Sequence, residues 1–84
     1  MSGITYINGM GTMAVRNQIR RLRFESGEMT QQALAEQAGV TRQTIVAIEG
    51  AKYAPSLELA FRIAAAFRKP LEEVFQFQQP GEKR

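Results

Sequence analysis

Cysteine, histidine and aspartate are all absent from the 84 residues. The absence of cysteine removes disulfides and the strongest nucleophile, and nothing in the sequence then points to an oxidising compartment. Without histidine the commonest general base is gone, and without any of the three the usual metal ligands are missing. Ser2, Ser26 and Ser56 each stand beside Gly or Pro in turn-like surroundings. Every acid is a glutamate, and most lie on helical patterns with Arg or Lys nearby, as solvated faces do. The expectation is a protein that is not an enzyme and holds no metal and no cofactor. Long apolar runs are also lacking, because Arg62 interrupts "LELAFRIAAAF", so no membrane span is expected. "MSGITYINGMGT" lacks the basic start and apolar stretch of a signal peptide, and a soluble, cytoplasmic protein is the reading.

What is present fits one small domain. A chain of this length buries only about 60% of its unfolded surface, so a monomer is marginal and a partner subunit has a use. The net charge of +3 and pI near 9.8 suit a nucleic-acid partner, though modestly.

Residues 1–12 are Gly-rich around "ITYI" and read as a flexible arm, or as a strand that pairs elsewhere; Met13 is an alternative start. Residues 13–77 form the domain and 78–84 a polar tail. Period and punctuation predict five helices. The first spans about 14–26, with Val15, Ile19 and Leu22 as its apolar stripe and Gly27 as its stop. Thr30 caps the second, "QQALAEQA", whose Leu34, Ala35 and Ala38 face inward until Gly39. Thr41 caps the third, which runs through Glu49. The loop "GAKYAP" leads to Ser56, cap of a fourth helix that buries Leu57, Ala60, Ile63, Ala64 and Phe67. The fifth opens at Pro70 and carries Leu71, Val74 and Phe75, and "QFQQPGEKR" frays after it, Phe77 excepted. The fold class is all-α, five short helices around one core. Leu71, Val74, Phe75 and Phe77 exceed what one small core can use at a chain end. They are expected at a homodimer interface, with the "ITYI" arm as a second candidate.

The third helix, "TRQTIVAIE", is polar only at its tip. At 100° per residue Arg42, Gln43, Val46, Ala47 and Gly50 share the outward face, so donors lead and small or apolar residues follow. The major groove of B-DNA admits one helix, and its base edges are read by such donors with apolar contacts to thymine methyls.

"TQQALAEQAGVTRQTIVAIE" resembles the helix-turn-helix of the phage-repressor (Cro/C1-type, XRE) transcriptional regulators. The pattern T-Q-x-x-L-A-x-x-x-G-V-[ST]-x-x-[ST]-I-x-x-[IL]-E is complete from Thr30 to Glu49, and the likeness runs from about Met13 to Phe75, most like short stand-alone members. It implies a five-helix repressor-like fold with a central helix-turn-helix, and a dimeric regulator of double-stranded DNA with a palindromic operator, associated with the nucleoid when bound. Thr41, Arg42, Gln43, Thr44 and Ala47 occupy the base-contacting positions. Gln31, Lys52 and Tyr53 occupy positions that meet the DNA backbone. Arg23 and Glu49 match an ion pair tying helix 1 to the recognition helix. Two other functions suit the same resemblance: an antitoxin that autoregulates its operon, and a protein-interaction module without DNA.

The chain departs from the family in three places. Glu49-Gly50-Ala51 replaces the usual Glu-Asn-Gly, removing a phosphate-bonding asparagine. Glu28 and Met29 stand where one apolar residue is usual, which lengthens the first loop. Arg68 replaces the glycine that ends helix 4, which requires a left-handed arginine at a cost of about 1 kcal/mol.

Overall fold

Three hydroxyls start three of the helices. Thr30 Oγ1 accepts from the Ala33 amide at 2.9 Å, Thr41 Oγ1 from Thr44 at 3.2 Å and Ser56 Oγ from Leu59 at 3.1 Å. Each bond satisfies an amide that the helix itself leaves without a partner. In the computed structural model, which describes residues 4–6, 14–52 and 54–78, these caps open α2 (Gln31–Ala38), α3 (Arg42–Glu49) and α4 (Leu57–Phe67). They are preceded by β1 (Ile4–Tyr6), β2 (Ala14–Asn17) and α1 (Ile19–Glu25), and followed by α5 (Leu71–Val74) and β3 (Phe75–Gln78).

The helix ends are equally local. Gly39 adopts φ 76°, and the Val40 amide bonds back to the Ala35 carbonyl, closing α2 and turning the chain into α3. Arg68 does the same for α4 with φ 57°, in the left-handed conformation that the missing glycine requires. The longer first loop is absorbed by two successive left-handed residues, Gly27 at φ 75° and Glu28 at φ 59°. The Met29 amide then returns to the Arg23 carbonyl at 2.8 Å.

All five helices feed one core. Ile19 and Leu22 of α1, Leu34, Ala35 and Ala38 of α2, Ile45 and Ile48 of α3, Ile63, Ala64 and Phe67 of α4, and Val74 of α5 are buried together. The five-helix, helix-turn-helix fold expected from the sequence is present.

Four expectations need correction. Residues 14–17 are strand β2 and not the start of a helix. Their backbone pairs antiparallel with β3, Val15 opposite Phe77 and Asn17 opposite Phe75, so Val15 belongs to a sheet and not to a helical stripe. The start of the tail does not fray: Phe75-Gln76-Phe77-Gln78 is the pairing strand, and β1 adds Ile4 opposite Arg16 on the far side of β2. Leu57, expected in the core, is 65% exposed, because it lies in the first turn of α4 where none of the described residues covers it. Val74, expected at a subunit interface, is fully buried, because the single turn of α5 folds it under the chain's own core.

Candidate nucleic-acid interface

The tip of α3 is built by its cap. Thr41 sits in extended backbone just ahead of the helix, its hydroxyl held between the Thr44 amide and the Thr44 hydroxyl at 3.0 Å. Arg42 and Gln43, next in the chain, are exposed, while Thr44 is half-buried beneath them. One turn later Val46 is exposed and Ala47 half-buried, so the outward face narrows from long donors to short apolar side chains. Ile45 and Ile48 on the opposite face are fully buried and fix the helix to the core.

The far end of α3 is held by charge. Arg23 of α1 meets Glu49 in a two-pronged ion pair, Nε to Oε1 at 3.0 Å and Nη2 to Oε2 at 2.9 Å. The third guanidinium nitrogen, Nη1, donates to the Met29 carbonyl at 2.9 Å. Gln31, in the first turn of α2, reaches Glu49 Oε1 with its amide nitrogen at 3.5 Å. Its side chain is thus set between α2 and α3 while remaining half-exposed. Glu49 is the one acid of α3, and Arg23 neutralises it.

The remaining charge on this side is positive. Arg20, Arg42 and Lys52 are exposed and have no ion-pair partner among the described residues. Arg20, Gln31 and Arg42 line a common hollow of about 470 Å³ beside the α2 N-terminus. Unopposed cations around a helix tip create the field that attracts a polyanion. Lys52 is fixed through its backbone, its amide bonding the Ala47 carbonyl at 2.8 Å as the chain leaves α3. That exit passes through Ala51 at φ 60°, so the left-handed position falls on alanine and Gly50 occupies an ordinary one. Tyr53 lies outside the described residues.

Of the five expected base-contacting residues, Thr41, Arg42 and Gln43 are thus exposed at the start of α3, and Thr44 and Ala47 are half-buried behind them. The family model described as helix-turn-helix matches residues 19–74, two-thirds of the chain. The chain belongs to the helix-turn-helix family. An uncharacterized HTH-type transcriptional regulator of Methanothermobacter thermautotrophicus is 50% identical over 70 residues, covering 82% of this chain and all of the relative. One from Archaeoglobus fulgidus is 48% identical over 63 residues, covering 75% of this chain and 89% of its own length. The HTH-type transcriptional regulator YgzD of Bacillus subtilis is 43% identical over 65 residues, covering 77% of this chain and 97% of its own. The XRE-type helix-turn-helix family is one of DNA-binding transcriptional regulators and not a class of enzymes.

A second surface lies on the other side of the domain. Val15, Leu57, Ala60, Leu71, Phe75 and Phe77 line an open apolar groove of about 800 Å³ between β2, β3 and α4. Leu71 and Phe75 are half-buried and pack partly on the core, and Phe77 is 51% exposed. Val74 takes no part in it. The sequence reading missed Leu57 as a groove residue; a leucine in a helix's first turn, just after the cap, can overhang the core, and that position was the available signal. It also missed Asn17, which is 4% exposed and bonded to α3. Asparagine two residues before an apolar helical run is a capping signal, hidden here by starting the helix at 14.

Proposed function

We propose that this protein is a dimeric, sequence-specific regulator that inserts α3 into the major groove of a palindromic operator. The observation that carries the reading is the α3 tip: Arg42 and Gln43 exposed, the short side chains of Val46 and Ala47 behind them, and the helix's sole carboxylate neutralised from α1. Arg42 is suited to a guanine edge or a nearby phosphate and Gln43 to an adenine edge, with room for thymine methyls over Val46 and Ala47. Thr41 and Thr44 contact the groove wall through the hydroxyl face not consumed by the cap. Gln31, Lys52 and Tyr53 hold the sugar–phosphate backbone and set the register without reading sequence. A second copy of the chain covers the groove around Leu57, Leu71, Phe75 and Phe77. Large apolar side chains left exposed together on so small a domain favour such a partner. Two-fold symmetry then places half-sites about 10–10.5 base pairs apart, or a small multiple of that. Regulation follows from occupancy of the operator, in the cytoplasm at the nucleoid.

Selection of bound duplexes from a random pool tests this. The expected result is an enriched inverted repeat. A pool that stays random after repeated rounds, from protein shown to be folded, would remove the sequence-specific reading.

A further inference from the structure

Asn17 is the one polar or charged residue among those described that is buried, at 4% exposure. A primary amide out of water is costly unless its donors and acceptor are all engaged. Here they are, and the partners lie on two different helices. Asn17 Oδ1 accepts from the Ile19 amide at 3.1 Å, capping α1 in place of Gln18, whose side chain makes no cap. Its Nδ2 donates to the Ile48 carbonyl at 3.1 Å and to the Glu49 carbonyl at 3.4 Å. Those two carbonyls end α3, beyond the reach of the helix's own amides, and the Ile48 carbonyl also accepts from the Ala51 amide at 3.0 Å. The Asn17 backbone is the last rung of β2, opposite Phe75 of β3, and the next amide, Gln18, bonds the Val74 carbonyl at 2.9 Å.

We propose that Asn17 is a positioning residue for the recognition helix: it fastens the end of α3 to the β2–β3 sheet and thereby sets the helix's angle relative to the subunit seam. The inference rests on the DNA-reading and dimer roles proposed above. A cap for α1 needs only the oxygen of Asn17. The two donated bonds reach across more than thirty residues to α3 and contribute nothing to α1. Phe75 and Phe77 flank the groove on the same strand whose backbone Asn17 pairs with. A second copy seated there is thus joined to the last turn of α3 through one side chain. In a two-fold dimer this linkage fixes the separation and tilt of the two reading helices, and hence the half-site spacing that is accepted.

The test variant is Asn17→Ser, which keeps an oxygen able to cap α1 but is too short to reach Ile48. Thr30→Ala serves as the control, since it removes a cap of similar worth with no bond to the end of α3. Hydrogen exchange is followed without DNA at Gly50, Ala51 and Lys52, whose amides close the end of α3. Asn17→Ser should speed their exchange tenfold or more relative to the slowest core amides, and Thr30→Ala should not. On DNA, the wild type should prefer one half-site spacing. Asn17→Ser should accept spacings one base pair longer or shorter with at least a tenfold smaller penalty, while binding to scrambled duplex is unchanged. Equal exchange in Asn17→Ser and wild type, or an unaltered spacing preference, would overturn the proposal. If the wild type itself discriminates no spacing, the DNA-reading role has failed, and the exchange measurement still decides the strut. If Asn17→Ser does not fold, the side-chain amide protons of Asn17 in the wild type decide it. Protection comparable to the last-turn amides of α3 supports the strut, and exchange at the rate of a free asparagine overturns it.

Discussion

Replacing Arg23 with methionine should destabilise the protein severely, and the structure sets the scale. Glu49 is 13% exposed and Arg23 19%, so their pair is mostly but not wholly removed from water. Methionine preserves the bulk of the side chain but leaves Glu49 with only the long 3.5 Å contact from Gln31. Stranding a fully buried charge costs about 3–5 kcal/mol, and the residual exposure here lowers that to roughly 2–4 kcal/mol. A domain of this length has on the order of 4–13 kcal/mol in total. At about 4–8 °C per kcal/mol, the melting temperature should drop by roughly 8–30 °C. Thermal melts by circular dichroism measure it directly. Pairing Arg23→Met with Glu49→Leu closes a double-mutant cycle, and the double variant should recover most of the loss, because a well-packed apolar pair replaces a buried ion pair at little cost. An unchanged melting temperature in Arg23→Met, or a double variant whose loss equals the sum of the singles, would refute the reasoning.

Three further outcomes follow from other parts of the structure. Lys52→Ala should weaken binding to every duplex alike and reduce the salt slope by about one for each phosphate no longer neutralised, measured by fluorescence anisotropy over a salt series. Arg68→Gly should stabilise by about 0.5–1 kcal/mol, since φ 57° costs arginine ~1–2 kcal/mol while glycine returns part of that as unfolded-state entropy; denaturant titration reads the change, and a loss would contradict it. Phe77→Lys, at a half-exposed groove position, should leave the melting curve of the chain's own core little altered and yield a monomer by sedimentation at tens of micromolar, where the proposed interface predicts a dimer for the wild type.

What could be read from the sequence was whatever is decided locally. Thr30, Thr41 and Ser56 announce helix starts because a hydroxyl beside free amides acts within four residues, and Gly39 announces a stop because φ 76° is cheap only for glycine. The base-contacting candidates share the same origin, since 100° per residue places Arg42, Gln43, Val46 and Ala47 on one face without knowledge of anything distant. What stayed hidden depends on contacts made far along the chain. Ala14–Asn17 is a strand because Phe75–Gln78 lies beside it, about sixty residues later, and four residues of either segment are too few to show a period of two. The amide of Asn17 becomes a link only once α3 has folded over it. Val74 and Leu57 exchanged expected places for the same reason. Periodicity assigns a residue to a face, but what covers that face is a tertiary fact, and α5 is a single turn whose direction nothing local determines.

The most direct measurement of the central claim is a second selection from the random pool with Gln43→Ala, compared position by position with the wild-type result. Gln43 is exposed at the tip of α3, clear of the buried core. If α3 reads bases by its tip, the recovered motif keeps its symmetry and spacing but loses preference at one base pair in each half-site, with affinity for the original operator lower by ~1–3 kcal/mol. If the two motifs are identical, or if binding weakens equally on all sequences, the tip of α3 is not what reads the DNA.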